Sequence, residues 1–191
     1  MDIEQSADAC GGLAWISERL FEIEGRLAAG LVEGEPLDPR TRALLARSSR
    51  RHGQHAQWWR ETLPDSPALA GPDRVGPPTD AWDSLIGHIQ DSEPSDAVTA
   101  LYEMAMPELK SVLDHLKHQW SPICDGAFVR VARMVAADLD EEQTEAREAW
   151  PIPNIPSSVE LEELSFGFFD DYNEKRWPPL VTHPRSSGYR Y

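Results

Sequence analysis

Apolar residues recur three and four positions apart along four stretches of the chain, and proline and glycine gather between those stretches. In the first, Leu13, Ile16, Leu20, Ile23 and Leu27 share one face of a helix predicted over about residues 7–31. Gly30, Gly34 and Pro36 interrupt it, and the Asp38-Pro39 pair restarts the chain with an N-cap residue followed by a first-turn proline. The second helix is predicted over about residues 38–62, where Leu63-Pro64 stops it. Its inward arc holds Leu44, Leu45, Ser48, His52, His55, Ala56 and Trp59. The third, over about residues 95–120, buries Val98, Leu101, Ala105, Leu109, Val112 and Leu116, with Pro107 expected to kink it. The fourth, over about residues 122–150, buries Phe128, Val131, Val135, Leu139 and Ala146.

Residues 63–94 carry Pro64, Pro67, Pro72, Pro77 and Pro78, which predicts an extended crossover with room for a short helix over Ala81–Ile89. Two helix hairpins joined by so long a connection predict an all-α, ferritin-like four-helix bundle over residues 1–150. A simple up-down-up-down bundle would not need a connector of about 30 residues. Residues 151–191 differ again, with six prolines from Pro151 to Pro184 and aromatic residues from Phe166 to Tyr191. They predict an irregular C-terminal extension that packs on its own bundle, on a second copy in a homodimer, or on a partner.

Composition narrows the function classes. The 191 residues carry a formal net charge of −15, which opposes a nucleic-acid partner. The one basic cluster, Arg40 to Arg51, winds around the second helix and reads as ordinary ion pairing. The N-terminus is acidic without an apolar core, and no run reaches the ~18 apolar residues of a membrane span. Two isolated cysteines, Cys10 and Cys124, make no disulfide framework or metal knuckle. A cytoplasmic protein is the expectation.

The chemistry that stands out is His52 and His55, two imidazoles one turn apart on an apolar face. With the first turn centred near residue 35, Glu18 lies level with His52. With the second near residue 120, Glu103 lies level with Asp138, and Glu141 falls close by. Rotation disagrees: Glu18 and Glu103 lie about 140–150° from their stripes, whereas Glu24 lies near the centre of its own, almost two turns lower. Asp138 and Glu142 flank the fourth stripe. The candidate metal ligands are therefore His52, His55, Glu24, Asp138 and Glu142, and iron or manganese suits such a set. Neutral imidazole has one lone pair and cannot bridge two ions as a carboxylate does, so a mononuclear site is the form expected. The competing expectation is no metal at all, with the histidines bonded to buried carboxylates or backbone. His115 and His118, Arg130 and Arg133 read as edge or surface residues.

The run Arg51-His52-Gly53-Gln54-His55-Ala56-Gln57-Trp58-Trp59-Arg60-Glu61-Thr62-Leu63-Pro64 resembles the second helix of a group of actinobacterial ferritin-like proteins of unassigned function. Leu101-Tyr102, Pro107, His115-Leu116, Ser121-Pro122, Asp125-Gly126 and Asp138–Glu142 resemble that group's second hairpin, so the likeness covers roughly residues 10–150. It implies the ferritin-like fold, whose better-known relatives include oxygen-activating hydroxylases. Their Glu-x-x-His pairs differ here: His52 stands at one Glu position, and the fourth helix offers acids where a His is expected. The expected function is a metal-dependent oxidoreductase acting on a small molecule, its pocket lined by Phe21, Trp59 and Tyr102. The alternative is a metal-free bundle that acts by binding a protein partner.

Overall fold

The computed structural model describes residues 3–63, 74–121 and 125–150. Every regular element among them is helical. The expected C-terminal extension and Cys124 lie outside the described residues. Among those residues, no helix is long and apolar enough to cross a membrane.

Helix α1 spans Ile3–Ala29, beginning earlier than the apolar stripe, because Ala7, Ala9 and Cys10 extend the buried face toward the N-terminus. Gly30 takes a left-handed φ of 70°, which glycine adopts without a Cβ clash, and the helix ends there. Helix α2 spans Pro39–Thr62. The Asp38 carboxylate accepts the Arg40 and Thr41 N–H groups at 2.8 and 3.1 Å, satisfying two donors that a helix start leaves open. The two helices pack antiparallel: Arg42 Nε donates to the Ala28 carbonyl, Ser49 Oγ to the Phe21 carbonyl, and Arg60 to Glu18.

The crossover contains helix α3, Asp80–Asp91, whose start is capped by the Thr79 hydroxyl. It buries Trp82, Leu85, Ile86 and Ile89, so this part of the connection supplies core rather than mere reach. Helix α4 (Pro94–Ala100) runs into a π-helical turn over Leu101–Ala105 and then into α5 (Met106–Gln119). Met106 N–H bonds the Leu101 carbonyl, five residues back. Pro107, which has no N–H to give, follows immediately, and the wider turn absorbs the break that sequence assigned to a kink there.

Helix α6, Gly126–Ala149, packs on α2 and α5. The arginines of α2 pair with it as expected: Arg47 with Glu145 at 3.4 Å, Arg51 with Glu141 at 3.3 Å and with Glu145 at 3.6 Å. One hydrophobic core unites α1 to α6, and the apolar stripes named from sequence lie in it apart from Ala56, which is buried outside it. Its end near Trp120 is aromatic, with Trp59 and Phe128 at ring-centroid distances of 6.3 and 5.7 Å from that indole. The buried Cys10 thiol is pushed up to about 12 by desolvation, which keeps it protonated and inert.

Candidate metal centre

Three helices deliver ionisable side chains into this core. Glu24 follows Leu20 by one turn on the buried face of α1. His52 and His55 follow Ser48 on α2, and Glu142 follows Leu139 on α6. Glu24, His52, His55 and Glu142 have no exposed surface. Charged side chains are almost never buried this completely without a partner that compensates them.

His52 is the hub. Its Nδ1 lies 2.8 Å from Glu24 Oε2, and its Nε2 lies 3.9 Å from Glu142 Oε2. One ligand atom from each of Glu24, His52 and Glu142 lies within 4.8 Å of the others. His55 turns away to Asp138, with Nε2 and Oδ2 at 2.8 Å, and meets His52 edge to face with ring centroids 5.5 Å apart. The structure thus divides the five candidate ligands. Glu24, His52 and Glu142 form one group, while His55 and the half-buried Asp138 form a separate pair.

Helix rotation explains why Glu24, not Glu18, meets His52. Contacts across the first hairpin centre from residue 35, for Arg42 with Ala28 and Ser49 with Phe21, to residue 39, for Arg60 with Glu18, so height leaves both acids within reach and the buried face of α1 selects Glu24. Glu18 instead pairs with Arg60 at 2.6 Å on the surface. On the second hairpin Lys110 pairs with Asp140, and Glu103 is exposed. Glu141 faces outward to Arg51.

Burial and charge set the protonation of the group. Desolvation pushes Glu24 up to about 8, against the pull of His52. Burial alone would lower His52, but the charges of Glu24 and then Glu142 outweigh it and raise the imidazole to about 9. Both groups hold protons more tightly because two acids share one cation, so one carboxyl keeps its proton. His55 is lowered to about 4, by burial first and by the neighbouring His52 charge second, and is neutral.

With both acids ionised, Glu24 Oε1, His52 Nε2 and both Glu142 oxygens would lack a partner, and a proton retained by one carboxyl lets Glu24 and Glu142 hydrogen-bond each other. His55 Nδ1 is likewise buried and open. Glu24 and Glu142 flank opposite nitrogens of the protonated His52 ring, so an ion could bind only as the imidazole gives up a proton. The donors fit an ion chemically. One imidazole nitrogen and two carboxylates suit iron(II) or manganese(II).

The three residues named for a substrate pocket are scattered. Trp59 is fully buried in the aromatic end of the core. Phe21 is 44% exposed and lies over Gly53 on the outer face of the α1–α2 pair, beside a shallow depression. Tyr102, on the π-helical turn, is buried, and its hydroxyl lies 3.1 Å from Ser48 Oγ. Desolvation and then the charges of Glu24 and Glu142 raise its phenol, so it faces the ionisable group. Tyr102 also lines a cavity of about 410 Å³ between the α4–α5 segment and α6. Sequence gave no sign of Ser48 as its partner, because a serine on a buried helical arc reads as filler. Comparison of the chain with known protein families, curated proteins and solved structures found no match.

Proposed function

We propose that this protein is a ferritin-like four-helix bundle that holds one iron(II) or manganese(II) ion at Glu24, His52 and Glu142 and acts as an oxidoreductase on a small molecule. One observation carries the reading: two carboxyls and an imidazole from three helices are fully buried together, with one ligand-type atom of each within 4.8 Å of the others. Two buried acids beside one imidazole are costly, and a bound cation is one way to compensate them. A bound ion would supply redox chemistry at the coordination positions that the protein leaves open. The chain's own part is positional. Three helices hold the ligands in place, and the surrounding core excludes water.

The short His52–Glu24 contact favours a second reading, in which protons alone balance the buried charge and the bundle acts by binding a protein partner. Metal content separates the two. The purified protein is incubated anaerobically with iron(II) and separately with manganese(II), freed of excess ion, and analysed for metal. Near-stoichiometric metal that Glu142→Gln and Glu24→Gln remove supports the first reading. Absence of metal under both conditions rejects it.

A further inference from the structure

The cavity between the α4–α5 segment and α6 has the makings of a binding site that the metal group does not explain. Its volume of about 410 Å³ falls in the lower part of the range of small-molecule pockets, roughly 300–1,000 Å³. Tyr102, whose hydroxyl lies 3.1 Å from Ser48 Oγ on α2, forms part of its wall. Pro107 and Trp150 supply ring surface, and Gln143 a neutral polar group. The Trp150 indole N–H is buried without a partner. The wall also carries the π-helical turn, a departure from regular helix that occurs frequently at functional sites.

The charges on this wall sort into two kinds. Lys110 is neutralised by Asp140, and Asp114 by Lys117 at 2.5 Å. Glu103 and Arg147 are exposed, and among the described residues neither has an ion pair. One open anion and one open cation on the wall of a single pocket match a ligand that carries both signs.

We infer that this cavity binds a zwitterionic small molecule of the α-amino-acid class, its carboxylate on Arg147, its ammonium on Glu103 and its side chain against Trp150 and Pro107. Guanidinium recognises carboxylate through paired N–H donors, and the ring surface of the wall favours an apolar or aromatic side chain. Binding itself does not require the ion. Only the idea that the bound molecule is the substrate rests on the proposed metal-dependent function.

The test is titration calorimetry on the metal-free full-length protein with L-phenylalanine, L-tyrosine and L-leucine. 3-Phenylpropanoate and 2-phenylethylamine serve as probes that keep one charge each. At least one amino acid is expected to bind saturably, with both single-charge probes weaker by roughly tenfold or more, as loss of a charge-assisted contact implies. Arg147→Gln should weaken the amino acid to a similar degree while leaving 2-phenylethylamine unchanged, and Glu103→Gln should do the converse with 3-phenylpropanoate. Both positions are exposed, so neither change threatens the fold. Failure of all three amino acids to bind overturns the inference. So does equal binding of the single-charge probes, or insensitivity to both substitutions. Metal content, measured separately, reports on the metal reading whatever this titration gives.

Discussion

Two regions of the same core are equally buried and chemically opposite. At one end Trp59, Trp120 and Phe128 stack at 5.7–6.3 Å, and shape and apolar area explain their packing. A few turns along α2, Glu24, His52 and Glu142 occupy an interior just as dry, with charges that packing alone does not explain. The aromatic end stabilises the fold. The polar layer opposes desolvation, so its presence points to a task other than holding the helices together.

Substitutions that treat the two regions alike should give opposite results. Trp59→Ala should cost the most stability, about 3–5 kcal/mol, by opening a cavity in the aromatic end. Denaturant melts would read that loss, and the metal capacity of the folded fraction should be unchanged. Replacing Glu24, His52 and Glu142 together by leucine should leave stability unchanged or raise it by about 1–4 kcal/mol while removing the metal. A large loss of stability in that triple variant would mean that the polar layer is structural after all.

The regions should also part in their response to pH. Trp59, Trp120 and Phe128 do not titrate, whereas Glu24 and His52 are raised from 4.5 and 6.5 to about 8 and 9 in the folded chain. Between pH 6.5 and 9 the folded metal-free protein therefore holds protons that the unfolded chain has released. The stability these groups contribute is greatest at the low end and is lost as pH rises through 8 to 9. His55, lowered to about 4, acts in the opposite sense only below 6.5 and leaves this window clear. Urea melts of metal-free protein at intervals across the window should show the decline, and the leucine triple variant should flatten it. The smallest effect belongs to a site remote from both regions. Asp38→Ala removes the α2 cap and should cost about 1 kcal/mol with no change in metal content.

Much of this contrast was legible in the sequence. Helical periodicity placed Leu13 to Leu27 and Leu44 to Trp59 on buried faces, and on the second of these it put His52 and His55 inward. Rotation singled out Glu24 and Glu142 over Glu18 and Glu141, and the structure buries the first two and leaves the others near the surface. Height discriminated less than rotation, because contacts across the first hairpin centre anywhere from residue 35 to residue 39. The choice of partners was also out of reach. Whether His52 or His55 faces Glu24 depends on ring tilt and helix crossing, which no one-dimensional pattern encodes. Pro107 announced a disturbance in its helix but not the π-helical turn at Leu101–Ala105 that sets Tyr102 against Ser48.

The most direct test is the manganese content of the anaerobically loaded wild-type protein beside that of the leucine triple variant. The account predicts close to one ion per chain in the first and none in the second, with both proteins folded. Equal metal in the two, or none in either, would contradict it.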